Sequence, residues 1–379
     1  MTFVIRMSSG EPPIPGTVAA PHPGGMEKTT TPTLRTKLIF WALLSVLSVA
    51  IAEVSVASAP FAFVNPVETA FLTLFYGSHL LLFAWLGFRR GWPTLPALWL
   101  GGVLFGLYEF YITKVLWEPP WGDVISLAHI DVVALVVLAF FWHPFMAFIL
   151  PLAIGEAVGT RGRWVARQLP AWFTGASRRS ILIAFAIVGL THGLMTGSPG
   201  VAIISTASAL SAFLVTASWW RRGGRATRWG LRDLLPNDKQ GKRIALVLAL
   251  QYVVFIPLWN ADSIPPLLGH VIVWLLYAGF ALLFHSALKD SISSSPVPTG
   301  SPAIWPRNRV IQWAGALLFL SALGSLGQPE IGFVVVWIGA IVAGLRMLVG
   351  TLRHAVRTPV GDATAEPAVV RDDDQAHTS

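Results

Sequence analysis

The chain has 379 residues, 54% of them hydrophobic and only 12% charged, and a formal net charge of +8. A soluble domain carries charge at about a quarter of its positions, so this composition excludes one and describes an all-α, polytopic integral membrane helix bundle. Cysteine is absent, which excludes disulfides, thiolate metal sites and a cysteine nucleophile.

Residues 1–36 are rich in Pro, Gly and Thr and lack the charged, apolar and small-residue order of a signal peptide. They read as a disordered cytoplasmic tail, and Met26, opening "MEKTTTPTLRTKLIFW", is an alternative start within it. A transmembrane domain follows over 37–350. A spanning helix needs about 20 mostly apolar residues to cross about 30 Å of hydrocarbon. Ten stretches qualify: 38–58, 67–88, 96–117, 128–155, 180–197, 200–220, 244–260, 266–288, 310–327 and 331–349. Asn65-Pro66, Gly91-Trp92-Pro93, Gly197-Ser198-Pro199-Gly200, Pro265-Pro266 and Gly327-Gln328-Pro329 separate them by turn chemistry.

Charge placement orients these stretches. Of the 27 Lys and Arg, every one except Lys114 falls on the same side of a ten-span arrangement. Cationic flanks are retained in the cytoplasm, so both termini are expected there, in the plasma (inner) membrane. The cytoplasmic loops are then 156–179, 221–243 and 289–309, the last holding a flexible linker at 291–302, and 351–379 is a cytoplasmic C-terminal tail. The first two loops mix Arg with Trp, which points to topology anchors lying against anionic lipid head groups. No nucleic-acid-binding fold is recognisable in either loop, so a nucleic-acid partner is excluded.

The opposite face is acidic, with Glu53, Glu68, Glu109, Glu118, Asp123, Asp131, Asp262 and Glu330 in or near the outer half. His129, His192 and His270 join them, a set able to relay protons or bind a cation. In "GLYEFYITKVLWEPPWGD", a helix running to Trp117 places Glu109 eight residues, or about 12 Å, below its outer end. An ion at that depth costs at least about 2.5–3.5 kcal/mol, so Glu109 is expected to be protonated, paired or facing a wet cavity. Lys114 lies about 140° away around the helix and is expected to snorkel to the interface beside Trp117 and Trp121.

His129 and Asp131, two residues apart, point to opposite sides of a helix, and an acid in a first turn suits the macrodipole. The same stretch continues through His143-Pro144 and Pro151 to Glu156, longer than a bilayer requires, and is expected to be tilted, kinked or broken. Proline frees backbone carbonyls there, and His143 sits beside them at the depth of His79 and Gln251. Glu156, close to Arg161 and Arg163, reads as an ion-paired helix end. Small residues in 200–220, and the pairs Gly339/Ala343 and Ala340/Gly344, are expected at close helix contacts.

Searches for a P-loop, HExxH, GxSxG and GxGxxG find none. Three readings follow. One is a secondary transporter or permease coupled to protons or cations. Another is a membrane-embedded enzyme with an outward acid/base or metal site built from Glu109, His129, Asp131 and His270. The third is a non-catalytic membrane subunit or assembly factor.

Overall fold

The computed structural model describes residues 31–119, 121–122, 124–170, 178–258, 265–292 and 307–357. Most of both expected tails and of the 291–302 linker, with Met26, Asp123 and Asp262, lies outside these residues. Among these described residues, ten long helices follow in chain order. The first four are α1, Leu34–Val49 with a π-helical continuation Ala50–Val54, α2, Pro66–Phe88, α3, Leu95–Thr113, and α4, Val132–Gly159. They are followed by α5, Arg178–Thr196, α6, Pro199–Arg221, α7, Asp238–Leu258, α8, Leu267–Ala287, α9, Arg307–Gly324, and α10, Pro329–Arg357. Eight are long and apolar enough to cross a membrane, while α5 and α9 contain shorter apolar runs, Ala186–Thr196 and Val310–Gly324. Each helix falls on one of the ten predicted stretches. Several bounds differ: α1 starts at Leu34, α4 at Val132 and α7 at Asp238, α3 stops at Thr113, and α10 runs past residue 350 to Arg357.

Local chemistry starts and stops these helices. Thr33 caps α1 by accepting from Thr36 N, and Asn65 Oδ1 accepts from Val67 N at 3.0 Å ahead of Pro66 in α2. Lys114 takes a left-handed conformation, φ 61°, and ends α3. Before α4 the chain forms a hairpin of β1, Ser126–Leu127, and β2, Ile130–Asp131, paired antiparallel.

The core is built on α1–α4, whose Phe40, Leu43, Trp99, Phe105 and Phe148 are fully buried. Around them α6 packs on α1, α7 on α2, α8 on α3 and α10 on α4, while α5 pairs with α9 and α10. Small residues set the close crossings. A side chain at Gly102 would meet Pro144, and one at Gly106 would meet His143, so these two glycines, four apart, bring α3 against α4. In α10, Ala340 is buried and Gly344 lies against Phe140, whereas Gly339 faces open space. Of the two small-residue pairs expected there, Ala340/Gly344 forms the contact.

The fourth helix is continuous rather than broken, and residues Leu135–Ile149 are wound in π register. In that register Pro144 has no N–H to offer the carbonyl five residues back, that of Ala139, and the Trp99 indole donates to the adjacent Phe140 carbonyl at 2.7 Å. Pro151 likewise has no N–H to offer, and Ser48 Oγ donates to the Ala147 carbonyl in the turn before it at 2.6 Å. Neighbouring helices thus donate to main-chain carbonyls beside both prolines.

Candidate functional site

The acid and the histidine singled out by the sequence meet inside the α1–α4 core. Glu109 is 7% exposed and His143 4%, and Glu109 Oε2 lies 3.3 Å from His143 Nε2. Neither atom is aligned in a hydrogen bond, so both keep a lone pair or proton available. His143 Nδ1 faces the Leu138 carbonyl at 3.3 Å, a main-chain partner that favours N–H on Nδ1 and leaves Nε2 to face the acid. The imidazole is boxed by aromatic rings: Phe110 edge-on at 4.7 Å, Phe105 at 5.4 Å and Tyr76 stacked at 6.3 Å. With α3 ending at Thr113, Glu109 lies four residues, or about 6 Å, from the helix end, half the depth expected. It is nonetheless buried, as are Lys114 and Leu116 just beyond the helix end.

A second acid approaches from α1. The π turn at Ala50–Val54 presents Glu53, half-buried, to Tyr76 of α2, whose hydroxyl donates to Glu53 Oε1, and Ser58 Oγ donates to Oε2 at 2.6 Å. Glu53 and Tyr76 are both within electrostatic reach of Glu109. His79, one turn below Tyr76, is fully buried, bonded through Nδ1 to the Phe75 carbonyl at 2.7 Å, and leaves Nε2 without a partner.

The other predicted residues lie elsewhere. Lys114 does not snorkel: it is 2% exposed, and its ammonium donates to the Ile256 carbonyl of α7 at 2.7 Å. That carbonyl is among the last four of α7, where a cation suits the helix end. Trp117 packs on Tyr111 and His270, and Trp121 packs on Trp337. Asp131 is buried as the N-cap of α4, accepting from Ala134 N at 2.5 Å and Val124 N at 2.9 Å. His129 is exposed at the hairpin turn, with φ 64°. His192 bonds Ser205 Oγ at 2.7 Å and ties α5 to α6, and His270 bonds the Tyr111 hydroxyl. Glu109, His129, Asp131 and His270 therefore have separate partners, and among the described residues no group of three His, Asp or Glu has metal-binding geometry.

Glu156 is first a backbone receptor, with the Arg163 guanidinium also within electrostatic reach of its carboxylate. Its carboxylate accepts from the N–H groups of Trp164, Val165 and Ala166 at 2.7, 2.8 and 3.2 Å, holding the N-terminus of the short helix Trp164–Gln168. Arg163 also donates to the Glu156 main-chain carbonyl at 3.1 Å, and burial holds its guanidinium below the usual arginine range. The first Arg/Trp loop is fastened to the bundle by Trp164, which donates to Pro93 O, and Trp220 at the end of α6 donates to Gly159 O, each at 2.8 Å.

The sequence reading missed Tyr76, although Tyr76 and His79 share a face of α2 at three-residue spacing. It also missed Gly102 and Gly106, whose small-xxx-small spacing was visible in "GGVLFG".

A family model described as "Uncharacterized membrane protein family" matches residues 42–360, and the chain belongs to that family. A protein of Archaeoglobus fulgidus, described as an uncharacterized protein, is 32% identical over 254 residues, 66% of this chain and 77% of its own length. No solved structure matches.

Proposed function

We propose that this member of a multi-pass membrane protein family is a proton- or cation-coupled permease whose coupling site is the Glu109–His143 pair. One observation carries the reading: a carboxyl and an imidazole, both buried, stand 3.3 Å apart on two helices that cross at glycines. Ionisable groups inside a bundle are costly to keep, and a pair able to share a proton is the arrangement that coupling chemistry uses. The π-wound, proline-bearing α4 beside it is the type of irregular element around which transporters form sites.

The same reading takes ten spans with both termini cytoplasmic, in the plasma membrane. Lys114, the sole cation on the outer side, supports this orientation because it has a local reason to be there as the cap of α7. Exposed Arg161, Arg222 and Arg228 in the Arg/Trp loops then face anionic head groups. Single cysteines test the orientation in intact cells: Ser198→Cys should react with a membrane-impermeant maleimide and Gly230→Cys should not. The reverse pattern inverts the topology.

The function is tested in proteoliposomes on a solid-supported membrane, screening small solutes under an imposed pH gradient. Solute-dependent currents that vanish in Glu109→Gln and His143→Ala are expected. Currents equal in wild type and Glu109→Gln would remove the pair from the mechanism. The acid/base enzyme reading now rests on this same pair, since its other three residues lie apart, and product formed without charge movement would select it.

A further inference from the structure

We infer that Glu53 and Tyr76 form the outward end of a proton path to the Glu109–His143 pair, with Glu53 as the residue that takes up the proton first. The inference rests on the coupling-site reading and adds to it a route and a direction. Glu53 is the half-buried member of the group, at the π-helical end of α1, and Tyr76, Glu109 and His143 behind it are buried. The Tyr76 hydroxyl donates to Glu53, and its ring lies parallel to the His143 imidazole, 6.3 Å between centroids. Phe75, Phe105 and Phe110 line the sides of this track, so Glu53 is the polar way in.

The step balances at each atom. A proton arriving on Glu53 Oε1 is matched by transfer of the Tyr76 hydroxyl proton inward to the Glu109 carboxylate, and Tyr76 regains one from Glu53, so the tyrosine ends unchanged. Tyr76 and Glu109 are within electrostatic reach but not directly hydrogen-bonded, so the relay between them requires an intervening water. Other titratable groups around the track are Glu68 in the first turn of α2, within electrostatic reach of Glu53, His79 on α2, which stacks on Phe105, and His192 on α5, which lies toward the backbone of Val54 and Ser55. The Trp142 indole closes the α4 side by donating to the Ala52 carbonyl at 2.9 Å.

Infrared spectroscopy of the protein in nanodiscs tests the path without any transported solute. Glu109→Gln should remove one protonated-carboxyl band, and that band in wild type should shift rapidly on transfer to deuterated buffer. Glu53→Gln and Tyr76→Phe should each slow the exchange at least tenfold while the protein elutes and melts as wild type, and Tyr76→Phe alone decides the matter if Glu53→Gln does not fold. An unchanged exchange rate, or no band assignable to Glu109, overturns the inference. Solute-driven currents with exchange independent of Glu53 would refute the path and keep the permease. Exchange gated by Glu53 in a protein that moves no solute would do the opposite.

Discussion

The helices α1–α4 and the outer helices α6, α7, α8 and α10 all pass as apolar membrane-length segments, yet they have different neighbours. Between 56% and 83% of the apolar windows of the first group is buried in the protein, against 11% to 28% in the second. Lipid tails are as apolar as leucine, so hydropathy selects segments that cross a bilayer without saying whether they face lipid or protein. What separates the two groups is the lateral detail that packing needs. The first carries glycines at crossings, indoles and a serine that reach open carbonyls, and the buried Glu, His and Tyr groups. The second exposes Leu275, Val335, Ile338 and Val342.

The sharpest way to break that comparison is to put the same substitution on each side. Gly102→Val drives a branched side chain into Pro144 and should cost near the top of the about 1–3 kcal/mol typical of overpacking. Gly339→Val, which meets nothing in the protein, should stay within about 0.5 kcal/mol. Thermal unfolding of the detergent-solubilised protein measures both, and equal losses would erase the distinction between core and periphery.

Next in size is Lys114→Met, which strips the charged donor from the Ile256 carbonyl and should cost about 2 kcal/mol. A lysine that merely snorkelled to the interface would show no such loss, so a neutral result would return it to the outer rim. The smallest effects belong to the hairpin that leads into α4. Asp131→Ala removes the cap from Ala134 N and should cost about 1 kcal/mol, with Asp131→Asn restoring most of it. His129→Gly should be neutral or slightly stabilising, because glycine accepts φ 64° without strain. If the histidine change proves the costlier of the two, the assignment of structural and dispensable residues in this turn is reversed.

Much of the helix layout was legible because its causes are local: apolar runs of bilayer length, prolines and glycines between them, and cations confined to one set of loops. That Glu109 and His143 are ionisable groups in apolar surroundings was also legible. Their pairing was not, since they lie on different helices and nothing in either segment's spacing encodes the other. Lys114 shows the same limit from the opposite side. The sequence placed it inside the helix, whereas it ends α3 in a left-handed conformation, and its partner is a main-chain carbonyl on α7, which leaves no mark in a sequence.

What the sequence determined by itself is the class of the molecule and the positions of its helices, because hydrophobic length, turn residues and charge asymmetry act over at most one helix and its flanks. Only the tertiary structure decided which helices are core, that α4 is wound in π register with Trp99 and Ser48 donating to carbonyls beside its prolines, and that Glu53, Tyr76, Glu109 and His143 gather in one place. The physical reason is that a bilayer supplies no hydrophobic preference for one apolar face over another. Helix neighbours are then chosen by close fit and by hydrogen bonds between residues far apart in the chain.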